Sequence, residues 1–259
     1  MVKNKIIFLL LSLFLYCSSF NILKANDPGA LTIFSESNMT YALAKVARYY
    51  SVKENVAISV DFNSSFELIE NIDLGEPADI FISSHIDWVK DLTQKGLVDR
   101  YSSVEFAQDS LVLVTSKNNK KIKDTNISEL ESFKDVLTMI KKNRIPLIVG
   151  SEFSSLGRYS ETILAKSNIS NFQIFRKLDE DKKSITDFID NHPEYCAIVM
   201  ESDVKNDDNI AILGRVPKIK INYHALVIAG DNMGNARDFI QYLRSDEAKS
   251  ILLEFGFLI

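Results

Sequence analysis

Hydroxyl and amide side chains follow two apolar, strand-like runs near the start of the chain. Ser35 to Thr40 come after the run that ends at Phe34, and Asn63 to Ser65 come after the run that ends at Phe62. Both stretches lead into helical patterns. A helix start presents free backbone N–H groups and a partial positive charge, so two such starts can hold an anion without any cationic side chain. Ser and Asn are equally typical of plain helix N-caps, so the pattern alone leaves both interpretations open.

Catalytic and metal-binding signatures are missing from the sequence. The chain has no Gly-x-Ser-x-Gly, His-Glu-x-x-His or Gly-x-x-x-x-Gly-Lys motif. Its three histidines, His85, His192 and His224, do not have metal-ligand spacing. We therefore expect a binding protein and not an enzyme, with no cofactor and no bound metal cation. A scaffold that has lost ligand binding remains an alternative.

Short β-rich runs alternate with helical patterns along the chain, which indicates repeated βαβ units. Such units predict an α/β fold with mostly parallel sheets covered by helices, and ligands bind outside the carboxyl ends of such strands. Lys117 to Asn126 is the most polar stretch and is predicted to be a surface loop. The predicted strands are Leu31 to Phe34, Val56 to Phe62, Asp79 to Ser83, Ser110 to Thr115, Leu147 to Gly150, Phe172 to Arg176, Ala197 to Met200 and Ala225 to Ala229. The predicted helices are Met39 to Tyr50, Phe66 to Leu74, Ile86 to Lys95, Tyr159 to Ser167, Ser184 to Asn191 and a long region from Ala236 to Phe255.

The first 25 residues have the pattern of a secretory signal peptide. Lys3 and Lys5 precede an apolar run from Ile6 to Tyr16, which is too short to span a bilayer comfortably. We predict that residues 1–25 are removed and that the protein is periplasmic. Lipidation at Cys17 is not expected, because the preceding Tyr16 is not small.

Composition narrows the class of partner. The chain has 259 residues, of which 46% are hydrophobic, and this is enough for a sizeable core. The formal net charge is −5 and no basic stripe is present, so no nucleic-acid partner is expected.

Cys196 lies in an apolar run, which is typical of a buried and inert thiol.

Two motifs carry a resemblance to a known family. The first is Gly75-Glu76-Pro77-Ala78-Asp79-Ile80-Phe81-Ile82-Ser83 followed by Trp88, and the second is Phe239-Ile240-Gln241-Tyr242-Leu243 with Ala248 and Phe255-Gly256-Phe257. In the order and spacing of these motifs, the stretch from Leu31 to Ile259 resembles the periplasmic molybdate-binding proteins of ABC transporters. These belong to the type II periplasmic solute-binding proteins.

This resemblance implies a two-lobed fold with a ligand cleft between the lobes. Lobe 1 would comprise residues 27–109 plus 223–259, and lobe 2 would comprise residues 110–222. The implied function is the periplasmic substrate-binding component of an ABC transporter. It would bind a small oxyanion such as molybdate or tungstate and deliver it to an ABC permease in the inner membrane. We expect a monomer.

The family's ligand positions fall on five residues, with departures. Ser65 matches the second binding serine, whereas Asn38 stands where the family has its first. Leu156 would donate its backbone N–H from a turn that replaces Pro-Ala-Gly, and Lys182 occupies the next backbone-donor position. Met200 replaces the binding tyrosine and has no hydroxyl. These departures leave open a different anion or a small organic acid as the ligand.

Overall fold

The computed structural model describes residues 29–123, 132–167, 174–176 and 182–259. The predicted signal peptide, including Cys17, lies outside the described residues. Among the helices in these ranges, none combines the length and the apolar character needed to cross a bilayer.

Ten strands in the described residues form two sheets of five. The first sheet has the order β2-β1-β3-β10-β4 and the second has the order β7-β6-β8-β5-β9. The strands of the first sheet are β1 (Leu31–Glu36), β2 (Ile58–Asn63), β3 (Ile80–Ser83), β4 (Val104–Asp109) and β10 (Ile221–Val227). The strands of the second sheet are β5 (Leu111–Ser116), β6 (Leu147–Val149), β7 (Ile174–Arg176), β8 (Cys196–Met200) and β9 (Ile210–Arg215).

Both sheets are mixed, with less parallel pairing than predicted. In the first sheet β1 is parallel to β2 and to β3, whereas β10 is antiparallel to β3 and to β4. In the second sheet β6 is parallel to β7 and to β8, whereas β5 is antiparallel to β8 and to β9. The antiparallel pairs arise where the chain passes between the sheets, because β5 and β10 enter from the opposite direction. The α/β fold class is confirmed, with helices flanking both sheets.

Helices connect the parallel strands. A 3-10 turn at Ser37–Met39 leads from β1 into the first α-helix. The α-helices are α1 (Thr40–Glu54), α2 (Ser65–Asp73), α3 (Ile86–Lys95), α4 (Lys120–Lys123), α5 (Phe133–Lys142), α6 (Ser155–Ser167), α7 (Lys182–Asn191), α8 (Glu201–Val204), α9 (Met233–Leu243) and α10 (Asp246–Glu254).

The alternation of side chains along β1 decides which residues reach each face of the first sheet. Ile33 joins the larger hydrophobic cluster on one face, with α1 and α9 residues. Phe34 joins a second cluster on the other face, with Leu68 from α2 and Trp88 from α3. Since successive side chains of a strand point to opposite faces, Glu36 projects on the same face as Phe34, at the end of the strand.

The chain passes between the sheets at two places in the described residues. Only Ser110 separates β4 from β5, and β9 is joined to β10 by a short connection. These two connections lie side by side, because Asp109 pairs with Ile221 and the N–H of Val216 donates to the carbonyl of Leu111 over 2.8 Å. The adjacent crossings form a two-stranded link between the sheets.

Candidate functional site

A small cavity of about 40 Å³ lies between the two sheets. One buried water needs about 10–15 Å³ of such space, so the cavity could hold about three waters or one small ion. Its lining comes from the carboxyl ends of strands and from helix starts. From the first sheet it includes Glu36, Ser37, Asn38, Asn63, Ser64 and Ser65, and from the second Ser154, Ser155, Leu156, Ile185, Thr186, Val199, Met200 and Asp203.

The first turns of α2 and α6, one from each half of the molecule, lie at the cavity. Ser64 caps α2 by accepting a hydrogen bond from the N–H of Glu67, and the Ser154 hydroxyl accepts from the N–H of Gly157 at the start of α6. The N–H groups of Ser65 and Leu156 lie in the first turns, where no intrahelical acceptor exists. The cavity therefore faces the positive ends of two helix dipoles.

The carboxylate of Glu36 is the centre of the hydrogen-bond network beside this cavity. Glu36 is only 5% exposed. Its Oε1 accepts from the hydroxyls of Ser65, Ser83 and Ser155, the Ser83 bond being 2.9 Å long. Its Oε2 accepts from the N–H of Ser84 at 2.9 Å and from the Ser84 hydroxyl at 2.6 Å. Five neutral donors therefore stabilise one buried negative charge.

These donors converge because the strand ends of the first sheet meet. Glu36 ends β1 and Ser83 ends β3, and the two strands are parallel neighbours. Ser65 opens α2, which follows β2 on the other side of β1. Ser155 comes from the second sheet, so the Glu36 carboxylate joins the two halves of the molecule.

The described lining of the cavity contains two acids and no Lys, Arg or His side chain. Asp203 is the second acid, and it follows β8 in α8. No three His, Cys, Asp or Glu side chains of the described ranges cluster closely enough to hold a metal ion. The described lining can thus bind a negative charge only through neutral N–H and O–H donors.

Four of the five residues singled out from the sequence line this one cavity: Asn38, Ser65, Leu156 and Met200. Met200 ends β8 and is 2% exposed, and Leu156 lies in the first turn of α6. The fifth, Lys182, begins α7, and the cavity lining from that helix comes from Ile185 and Thr186.

Asn38 is turned towards the protein interior. Its Nδ2 donates to the hydroxyl of Tyr223, a fully buried residue of β10. Its Oδ1 is buried and has no hydrogen-bond partner among the described residues. The amide donor of Asn38 is thus used inside the protein, at the position where the resemblance implies a serine donor to the ligand.

Contacts between the two sheets close the cleft around the cavity. The Tyr159 hydroxyl of α6 donates to the carbonyl of Ser84 over 2.7 Å, and its ring lies 4.7 Å from that of His85. The Arg158 guanidinium lies 3.7 Å from the ring centre of Trp88 in α3, a cation–π contact. Burial and the nearby Glu36 carboxylate raise the pKa of Tyr159 well above its usual range, so it remains a donor.

A buried carboxylate also lies at the link between the sheets. Asp109 ends β4, and its Oδ1 accepts from the N–H groups of Ser110 at 2.7 Å and Ser202 at 3.3 Å. Its Oδ2 is buried without a hydrogen-bond partner in the described residues. Burial raises the pKa of Asp109 to about 6.

Glu36, Ser83, Ser84 and Asp203 are site residues that the sequence did not single out. Ser83 ends a predicted buried strand and Ser84 follows it, which is the expected location of ligand contacts in such a sheet. Glu36 follows the apolar run Leu31 to Phe34 in the same way. An acid at the carboxyl end of a central strand was therefore an available signal.

Comparisons with known proteins agree with this geometry. The family described as bacterial extracellular solute-binding protein matches residues 31–258. The molybdate-binding protein of Escherichia coli (strain K12) is 26% identical over 239 residues, which cover 90% of each chain.

Solved structures share the fold at lower sequence identity. A tungstate ABC transporter structure from Geobacter sulfurreducens superposes with a TM-score of 0.71 at 11% identity, covering 87% of this chain and 98% of the other. The sulfate-binding protein of Mycobacterium tuberculosis H37Rv gives a TM-score of 0.69 at 16% identity, with coverage of 88% and 86%.

Proposed function

The chain belongs to the bacterial extracellular solute-binding protein family, and from this membership we propose that it is the substrate-binding component of an ABC transporter and captures a small oxyanion between its two halves. Its family and its relatives are solute-binding proteins and not enzymes. The proposed ligand is a small oxyanion of the molybdate or tungstate type, since proteins similar to this chain carry those names.

One observation supports an oxygen-rich anionic ligand above all others. Five neutral donors from both sheets converge on the carboxylate of Glu36, beside a cavity whose described lining has no cationic side chain. Each hydrogen bond to a charged group contributes about 1.5–3 kcal/mol, so such a donor set can hold an anion by itself. The two helix starts add to the same preference.

A small organic acid is the second candidate. The group that the donors hold in this structure is itself a carboxylate, that of Glu36. A carboxylate ligand of similar size would meet the same hydroxyl and N–H groups. The departures at Asn38 and Met200 leave fewer donors for a tetrahedral oxyanion than the family pattern implies.

We propose that the binding residues are Asn38, Ser65, Leu156, Lys182 and Met200. The two lobes would comprise residues 27–109 plus 223–259 and residues 110–222, with the second boundary inside β10. Rotation about the two-stranded link would then open and close the cleft.

The delivery pathway completes the proposal. A signal peptide at residues 1–25 would direct the chain to the periplasm, where a monomer would carry its ligand to an ABC permease in the inner membrane. The family description, which refers to extracellular proteins, agrees with export.

A thermal-shift screen of residues 26–259 tests the ligand assignment. The panel comprises molybdate, tungstate, sulfate, phosphate, thiosulfate and small carboxylates. A ligand at one hundred times its dissociation constant stabilises a protein by about 2.7 kcal/mol, which raises the midpoint by several degrees. A shift with molybdate and tungstate supports the first candidate, and a shift with carboxylates alone supports the second. No shift with any anion would reject both.

A further inference from the structure

We infer that Glu36 is an internal ligand, whose carboxylate occupies the donors that would hold an external oxyanion and therefore competes with it. This inference rests on the proposed function and describes the regulation of the same site.

The serine hydroxyl donors beside the cavity already donate to Glu36. A carboxylate accepts at about four lone-pair positions, and Glu36 receives five hydrogen bonds. A hydroxyl has a single proton, so Ser65 cannot donate to Glu36 and to an external anion at the same moment. Ser65 is the residue that the family resemblance implies as a ligand donor. The Ser155 hydroxyl donates to the same Glu36 oxygen from the second sheet. An external oxyanion must therefore displace the Glu36 carboxylate to acquire these donors.

The negative charge of Glu36 also opposes binding of an external anion. A fully ionised oxyanion in the cavity would lie beside Glu36 and Asp203, and the described lining offers no cationic side chain to compensate. Repulsion between like charges is strong in a partly buried site, where the effective dielectric constant is low. A dianion therefore binds more tightly when the Glu36 charge is removed.

The internal ligand also holds the cleft closed. Ser65, Ser83 and Ser84 belong to the first sheet, whereas Ser155 begins a helix of the second. One carboxylate bonded to both halves performs the bridging that a bound anion performs in a cleft of this kind. Glu36 thus stabilises the closed form without an external ligand.

Substitution of Glu36 tests this inference. Titration calorimetry with molybdate, sulfate and phosphate compares the wild-type chain with the Glu36→Ala and Glu36→Gln variants. We expect Glu36→Ala to bind at least one of these anions ten times more tightly than the wild type. Glu36→Gln keeps the side-chain shape without the charge, and we expect a gain in the same direction even where Glu36→Ala folds poorly. Glu105→Gln removes one exposed negative charge of the same sheet outside the cavity and should leave the affinity unchanged.

Equal or weaker binding by both Glu36 variants, with a wild type that binds, would overturn the internal-ligand inference and leave the proposed function intact. If no variant binds any anion, the proposed oxyanion function fails, and small-angle X-ray scattering then decides the role of Glu36. An internal ligand predicts a larger radius of gyration for Glu36→Ala than for the wild type. Equal radii would overturn the inference.

Discussion

The hydroxyl of Tyr159, in the helix that follows β6 of the second sheet, donates a 2.7 Å hydrogen bond to the backbone carbonyl of Ser84, which directly follows β3 of the first sheet. Ser84 also donates both its N–H and its hydroxyl to Glu36. One residue thus connects the buried carboxylate to a contact across the cleft. Closure and binding should therefore respond together when this region is altered.

Tyr159→Phe removes only the hydroxyl of this contact. The ring can still pack against His85, so we expect little loss of stability within either half. The closed form loses one hydrogen bond worth about 0.5–1.5 kcal/mol, and the dissociation constant of an anion that binds the wild type should rise about threefold to tenfold. Titration calorimetry measures this change. Tyr101→Phe, at a 96% exposed position, is the control, and equal affinities for all three proteins would contradict the expectation.

Ser65→Ala removes one donor to a buried charge. Ser65 is fully buried, and its hydroxyl donates to Glu36. A buried charged group that loses a donor costs about 1–3 kcal/mol, so the free energy of unfolding should fall by this amount. Urea denaturation monitored by circular dichroism gives the value. The exposed Ser103→Ala variant should stay within about 0.5 kcal/mol of the wild type, and an equally small effect at Ser65 would argue against the Glu36 network.

Gly157→Ala should distort the helix start beside the cavity. A Cβ atom at Gly157 would lie 1.7 Å from the carbonyl oxygen of Ser151, so either the loop or the helix must move. Overpacking against backbone costs at least about 2 kcal/mol, and we expect a loss of this size in the free energy of unfolding. Gly234→Ala is the matched control, because no atom outside its own stretch of helix lies within 4 Å of its added Cβ. In a helix this change should stabilise by up to about 1 kcal/mol. Similar effects of the two substitutions in urea denaturation would refute the close approach.

Asp109→Asn should stabilise the protein in neutral and alkaline solution. The folded-state pKa of Asp109 is raised from 3.8 to about 6, mainly by burial, with a smaller contribution from the neighbouring Glu201. The folded state therefore binds this proton more tightly than the unfolded state, and the wild type loses stability as pH rises from about 4 to about 6. The variant has no carboxylate to ionise at this position and therefore does not lose this stability. By linkage, the difference in the free energy of unfolding is at most about 3 kcal/mol above pH 6.

Urea denaturation at pH 4.5 and at pH 8 measures the effect of Asp109→Asn. The advantage of the variant over the wild type should be largest at pH 8 and small at pH 4.5. Asp208→Asn, at an exposed position before β9, should change stability little at either pH. An advantage that does not depend on pH would show that the carboxylate is not the cause.

Much of the fold followed from local patterns. The helix Ile86–Lys95 has the bounds predicted from its periodicity, because Gly96 ends it in a left-handed conformation that glycine adopts easily. The long helical region from Ala236 to Phe255 is instead two helices, since Ser245 caps a new start by accepting from the N–H of Ala248. Within the predicted surface loop from Lys117 to Asn126, Lys120–Lys123 forms a short helix, and residues 124–126 lie outside the described part of the chain.

The site was harder to predict than the fold. Helix starts at Asn38 and Ser65 were visible as polar residues after apolar runs, and both line the cavity. The role of Glu36 was not visible, since it depends on Ser155, which lies 119 positions away and is brought near only by the closure of the two sheets. Strands β4 and β9 were also not predicted. Their side chains are only partly buried, and the alternation of apolar and polar residues along them is weak.

The direction of β1 determines how the protein can be attached to a surface. The strand begins at Leu31 and ends at Glu36, so the amino-terminal end of the described chain is about 17 Å from the cleft along the strand. Leu258 instead pairs with Gln108, two residues before the first crossing between the sheets. A linker, tag or sensor surface joined ahead of β1 would leave the cleft facing outwards, whereas one joined after Ile259 would pull on β4 beside the two-stranded link.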